Sequence, residues 1–154
     1  MTSQFNDGMS LHGLLIEKNI PISKQDFPGK DHDMPNPKPV FELVPAADGS
    51  KVHYKAADKL KGKKTVITGG DSGIGAATAI LFAHEGADST IAYLPEEEKD
   101  AQNTKARIEE LGQKCHLISV DLTKKEDCKK VVDFAVEKMG GIDILFNNAA
   151  CKFC

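Results

Sequence analysis

The sequence predicts an α/β fold in which parallel strands alternate with helices that cross back over the sheet. From residue 64 onward, short apolar runs alternate with stretches of helical periodicity. These runs contain few polar residues, as is typical of strands buried on both faces. A glycine-rich turn directly follows the first of them. We therefore expect four strands and three crossover helices within residues 60–150.

The segment before residue 60 is predicted to be an irregular N-terminal arm, because prolines repeatedly interrupt any regular ladder. They are Pro21, Pro28, Pro35, Pro37, Pro39 and Pro45. Within this arm, residues 10–19 could form a short helix. Asp48-Gly49 reads as a turn between short strands at 40–44 and 51–54. A solvated tail is the alternative interpretation.

The first strand is predicted over residues 65–68, which are β-branched throughout. A helix follows over residues 73–85 and ends at Gly86. The second strand is expected over residues 89–94. Pro95 suits the first turn of the next helix, and the acidic run that follows complements its positive end. That helix is expected to reach residue 111, just before Gly112.

The third strand is predicted over residues 115–120. Thr123 and Glu126 then have the spacing of a capping box at the start of the third helix. Gly140 ends this helix, and residues 142–146 form the fourth strand. The helix carries one apolar stripe, made of Val131, Val132, Ala135, Val136 and Met139.

The turn over residues 68–75 has the composition of a phosphate-binding loop. Gly69 permits a tight turn, and Gly73 and Gly75 let the backbone approach a pyrophosphate. The following helix supplies N–H groups and a positive dipole at its amino terminus. This strand, turn, helix and strand context favours dinucleotide binding in a Rossmann-type doubly wound sheet, although a glycine turn without ligand is the alternative.

Three motifs in order resemble the short-chain dehydrogenase/reductase family. They are TGGDSGIG at 68–75, Asp121-Leu122-Thr123, and Asn147-Asn148-Ala149-Ala150. They are similar to the family's TGxxxGxG, its Asp-Leu or Asp-Val pair after strand three, and its NNAG. The arm resembles that of a glucose/ribitol-dehydrogenase-like subgroup, through Gln25, Pro28-Gly29, Met34, Pro35, Pro37, Tyr54 and the run Lys59-Leu60-Lys61-Gly62-Lys63.

This resemblance implies a role for each matching residue. The residues that would line the pyrophosphate and the adjacent ribose are Gly69, Ser72, Gly73, Ile74 and Gly75. Asp121 would accept a hydrogen bond from the adenine amino group, with Leu122 beside the ring; a simple strand-end acid ahead of Thr123 is the alternative. Asn148 and Ala149 would contact the cofactor ribose, and Asn147 would tie strand four to neighbouring backbone. Ala150 stands where the motif has glycine and adds a methyl group where the chain turns.

The implied cofactor is NAD or NADP. An acid at the end of strand two normally binds the ribose 2′-hydroxyl of NAD. Its absence after Tyr93 favours NADP, whereas the negative charges of Glu96, Glu97 and Glu98 would repel a 2′-phosphate.

The resemblance also implies that catalytic residues are missing. The family uses a serine and a Tyr-x-x-x-Lys pair beyond strand four. Here Tyr54 and Tyr93 are followed at the fourth position by Asp58 and Glu97. We therefore expect a C-terminally truncated oxidoreductase for a small carbonyl, alcohol or sugar, inactive alone. The alternatives are a non-catalytic module that binds dinucleotide or pairs with full-length subunits or itself, and a translation product without function.

Composition excludes several other classes. A net charge of −3 offers no basic surface for nucleic acid. No apolar run approaches the roughly 18 residues of a membrane span. Four cysteines are too few for a disulfide framework, so we expect a cytoplasmic protein. Cys151 and Cys154 could form a metal or redox pair, but the expected reading of 151–154 is a disordered tail without a metal site.

Overall fold

The computed structural model describes residues 43–150. The helix predicted over residues 10–19 and the cysteine pair of the C-terminal segment lie outside this range.

A small hairpin precedes the main sheet. Strands β1 (Leu43–Pro45) and β2 (Lys51–His53) pair in antiparallel fashion. The Asp48 carboxylate accepts hydrogen bonds from the Ser50 amide at 2.9 Å and the Ser50 hydroxyl at 2.6 Å, which closes the turn. The predicted turn and the strand predicted at 51–54 are therefore confirmed, as is the part of the strand predicted at 40–44 that lies within the described residues.

The main sheet is parallel and has four strands. They are β3 (Lys64–Thr68), β4 (Asp88–Tyr93), β5 (Cys115–Ser119) and β6 (Ile144–Asn147). Their spatial order is β5-β4-β3-β6, so the chain first moves outward from β3 and then returns to its other side. This reversal beside β3 is a topological switch point. The predicted Rossmann-type doubly wound parallel sheet is confirmed.

Helices cover both faces of this sheet. They are α1 (Gly73–His84), α2 (Glu98–Glu110), which follows a 3₁₀ turn at Pro95–Glu97, and α3 (Lys125–Met139). Side chains of a strand alternate between faces. Ile67 therefore joins the core under α1 and α2, and its neighbour Val66 joins the core under α3. Both are fully buried, which explains why the strands lack polar alternation.

The start of α3 differs from the prediction. The N-cap is Lys124, without a side-chain hydrogen bond, so the capping box of Thr123 and Glu126 is wrong. The Thr123 hydroxyl instead donates to Asp121 at 2.7 Å. This local turn engages the threonine before the helix begins, because a carboxylate two residues away is the nearer acceptor.

The apolar stripe of α3 is narrower than predicted. Val131 and Ala135 are buried, whereas Val132 and Val136 are nearly half exposed. Successive helical residues are about 100° apart, so only one edge of the predicted stripe faces the sheet. In β6, at the edge of the sheet, Leu145 is 55% exposed. Within residues 43–150 no helix is long and apolar enough to cross a membrane.

Candidate functional site

The predicted site residues come together at one edge of the sheet. Gly69 follows β3, Asp121 lies two residues after β5, and Asn148 follows β6. Because these strands are parallel, their carboxyl ends share an edge, which is where ligands bind in such sheets. The remaining predicted residues lie in the same loops or in the first turn of α1, namely Ser72, Gly73, Ile74, Gly75, Leu122 and Ala149.

The inner side of the glycine turn is tightly packed. Gly69 has a φ of +63°, and a Cβ atom there would lie 3.1 Å from Ala149 Cα. A Cβ atom on Gly75 would lie 1.9 Å from the Gly69 carbonyl oxygen. The start of α1 therefore approaches the end of β3 more closely than any side chain allows.

The outer side of the same turn is open. Gly73 is exposed, with a φ of +52°, and a Cβ atom there would meet no atom within 4 Å. Ile74 is 74% exposed. A turn that is packed inside and open outside fits a diphosphate group, which needs backbone close by and space beyond it.

The amino terminus of α1 adds a favourable electrostatic environment. Ser72 is the N-cap, in an extended conformation, and its side chain does not cap the helix. The first-turn N–H groups of a helix lack acceptors within it and carry partial positive charge. No acidic residue occupies the first turn of the helix itself.

Asn148 joins the end of β6 to the glycine turn. Its side-chain amide donates to the Thr68 carbonyl at 3.2 Å and to the Gly69 carbonyl at 2.9 Å. The backbone amides of Asn148 and Ala149 both donate to the Thr68 hydroxyl at 3.0 Å. The family resemblance implied that Asn147 links strand four to the neighbouring backbone; in the structure Asn148 makes this link. Thr68 was missed as a site residue, although it begins the motif, because its role depends on a strand 80 residues away.

Asp121 is held in place by its own loop. Its carboxylate accepts from the Thr123 amide at 3.1 Å, and Lys124 Nζ lies 3.4 Å away. Hydrogen bonds from Thr123 lower the pKa of Asp121, with a further contribution from Lys124. The group is therefore an ionised acceptor at the sheet edge. Leu122 packs against the core under α3.

The acidic run after β4 is partly engaged in internal contacts. Glu97 accepts from the Leu94 amide at 3.2 Å, and burial followed by the charge of Asp71 raises its pKa. Glu98 accepts from the Tyr93 hydroxyl, and this bond lowers the pKa of Glu98. Two of the three glutamates are thus bound to the protein itself.

Neither tyrosine is suited to act as an acid/base at this edge: Tyr93 ends β4 there, but it is buried and its hydroxyl donates to Glu98. Burial, with Glu98 nearby, raises the pKa of Tyr93 to about 12. Tyr54 contacts His84 and Glu85 at the far end of α1, away from the glycine turn. Among the described residues no group of three or more His, Cys, Asp or Glu side chains could hold a metal ion.

Comparison with known proteins points to the same family that the sequence motifs resemble. The family described as "short chain dehydrogenase" matches residues 63–153, more than half of the chain. General stress protein 39 of Bacillus subtilis is 47% identical over 133 residues, covering 86% of this chain and 43% of that protein. The glucose and ribitol dehydrogenase homolog of Oryza sativa is 41% identical over 141 residues, covering 86% and 44%.

A solved structure shares both sequence and fold. It is a short chain dehydrogenase from Burkholderia cenocepacia in complex with NADP, with 41% identity, a TM-score of 0.58, and coverage of 60% of this chain and 38% of that one. The chain therefore spans less than half the length of these relatives. By sequence, sheet order and glycine turn, it belongs to the short-chain dehydrogenase/reductase family.

Proposed function

We propose that this chain forms the dinucleotide-binding part of an NAD(P)-dependent oxidoreductase acting on a small carbonyl compound, alcohol or sugar. The observation that carries the proposal is the glycine turn, packed against Asn148 on its inner side and open at Gly73 on its outer side. When bound, the nicotinamide supplies or accepts the hydride. The chain's own residues would bind and orient the dinucleotide.

The proposed contacts follow the loops of the sheet edge. The first turn of α1, with Gly73, Ile74 and Gly75, would hold the diphosphate through backbone N–H groups. The ionised Asp121 would accept from the adenine amino group, with Leu122 beside the ring. Ala149 and Asn148 would face the ribose, with the Asn148 side chain also bracing the turn.

We propose NADP as the preferred cofactor. No acid lies at the tip of β4, and the related Burkholderia enzyme was solved with NADP. The acidic run is the argument against this choice. Hydrogen bonds from the Leu94 amide and the Tyr93 hydroxyl fix the positions of the Glu97 and Glu98 carboxylates. The raised pKa of Glu97 favours its neutral form and so weakens the repulsion, whereas Glu98 keeps its charge. The proposal places the protein in the cytoplasm, where free thiols such as Cys115 and Cys128 persist.

This chain alone is expected to bind without turnover. General acid/base catalysis contributes roughly 10²- to 10⁴-fold in rate, and neither Tyr93 nor Tyr54 is suited to supply it. The second candidate function is a module that pairs with itself or with full-length subunits. The exposed Leu145 on the edge strand β6 favours this candidate.

Titration calorimetry with NADP⁺, NADPH, NAD⁺ and NADH tests the proposal. We expect saturable binding with a dissociation constant of about 1 μM to 1 mM, the range in which Michaelis constants usually fall, and tighter binding of the NADP pair. A folded sample that gives no heat with any of the four contradicts the proposal. Binding without oxidation of NADPH by aldehydes or sugars agrees with it, and light scattering of the same sample reports pairing.

A further inference from the structure

Helix α2 buries two polar residues beside its apolar ones. Its buried positions are Asp100, Ala101, Thr104 and Ile108. Thr104 is 5% exposed. A buried hydroxyl is unfavourable unless it finds a hydrogen-bond partner, and threonine is also a modest helix former. The buried Thr104 hydroxyl is therefore expected to have a hydrogen-bond partner.

The partner of Thr104 is the glycine turn. Its hydroxyl donates to the backbone carbonyl oxygen of Asp71 at 2.9 Å, across 33 residues of sequence. Asp71 is buried and directly precedes Ser72, the N-cap of α1. The contact therefore holds the backbone at the point where the turn becomes the helix.

Other hydrogen bonds hold the opposite end of the turn. The Gly69 amide donates to the Ala92 carbonyl at 2.7 Å, and Asn148 binds the Thr68 and Gly69 carbonyls. These bonds anchor the strand side of the turn. Thr104 anchors the helix side, next to the open surface of Gly73.

We propose that Thr104 is a positioning residue for the diphosphate site: by binding the Asp71 carbonyl, it sets the direction in which the first-turn amides of α1 point. This inference rests on the proposed dinucleotide function. Thr104 itself does not touch the cofactor. Its effect is to reduce the motion of a turn that otherwise has to be ordered when the ligand binds.

The test compares three variants by calorimetry with NADP⁺ and by amide hydrogen exchange. T104V removes the hydroxyl at nearly constant volume, and T104S keeps it. T65V is the control for loss of a buried threonine hydroxyl, because Thr65 is also buried and its hydroxyl lies 3.1 Å from the Asp88 carbonyl oxygen and 2.8 Å from the Ser89 hydroxyl. Thr65 lies near the amino end of β3, whereas the glycine turn follows the carboxyl end of that strand. Loss of the Thr65 hydroxyl should therefore affect stability without changing the turn.

We expect T104V to weaken NADP⁺ binding about three- to tenfold, the effect of losing one net hydrogen bond. T104S and T65V should bind as the parent does. In the free protein, T104V should speed exchange of the amides at residues 72–76 more than T65V does.

Two results overturn the inference while the parent chain still binds NADP⁺: T104V binding like the parent, or T65V weakening binding as much as T104V. Absence of binding by the folded parent refutes the proposed function instead. In that case unchanged exchange at residues 72–76 in T104V refutes the positioning role independently, and faster exchange there supports it.

Discussion

Replacing Gly75 with alanine is expected to weaken nucleotide binding at least tenfold, equivalent to about 1.4 kcal/mol, and to destabilise the fold. The added Cβ atom would lie 1.9 Å from the Gly69 oxygen and 2.7 Å from Asn148 Nδ2. Alanine gains about 0.8–1 kcal/mol in helix propensity. Overpacking of this kind typically costs about 1–3 kcal/mol, occasionally more. Here the Cβ atom would clash with the backbone oxygen of Gly69, which cannot move aside as a flexible side chain can. The turn must therefore move away from α1.

Gly141→Ala is the matched control for this substitution. Gly141 is outside the site, does not have a positive φ, and a Cβ atom there would meet only Lys64 Nζ, at 4.0 Å. We expect its thermal midpoint and its affinity for NADP⁺ to equal those of the parent. A G75A variant that melts and binds as G141A does would show that the close approach of α1 to β3 is not required.

The sequence predicted the main sheet and the glycine turn because their signals are local. The apolar runs at β3 and β4, the turn at 69–75 and the stops at Gly86 and Gly112 each fit within a few residues. Their parallel order then follows from the crossover rule, since strands joined by helices align their carboxyl ends. The predicted site residues consequently share one edge of the sheet.

The contacts that stabilise the site could not be predicted in this way. Asn148 reaches Thr68 and Gly69 across about 80 residues, and Thr104 reaches Asp71 across 33. Neither pairing leaves a periodic or compositional signal, because each uses one polar side chain and one backbone carbonyl. The capping box of Thr123 failed for a related reason, since the spacing rule ignores the competing carboxylate of Asp121.

Glu85 is the other residue whose substitution is expected to have a large effect. It is the C-cap of α1, and its side chain is 7% exposed. Its carboxylate accepts hydrogen bonds from the Tyr54 hydroxyl and from the amides of Ala57 at 3.1 Å and Lys59 at 2.8 Å. One acid thus joins the end of the predicted arm to the helix that starts at the glycine turn.

We expect Glu85→Gln to lower the thermal midpoint by about 5–10 °C, because three donors lose a charged acceptor and one of the two acceptor oxygens is replaced by an NH₂ group. Glu109→Gln is the control. Glu109 is half exposed and lies 3.7 Å from Lys105 on the surface of α2, so its substitution should change the midpoint little. Equal midpoints for E85Q and E109Q would contradict the role assigned to Glu85.

The same carboxylate predicts how stability depends on pH. The hydrogen bond from Tyr54, and then that from the Lys59 amide, lower the pKa of Glu85 from 4.5 to about 2. A group whose pKa is lower in the folded state stabilises the fold above its unfolded pKa and loses this contribution as pH falls towards its folded pKa. The difference in thermal midpoint between the parent and E85Q should therefore be constant from pH 7 to about pH 5. It should shrink progressively between pH 4.5 and the lowest pH at which both proteins still fold. A difference that stays constant down to pH 3 would contradict this account, because it would show that the contact with Tyr54 does not lower the pKa of Glu85 in the native state.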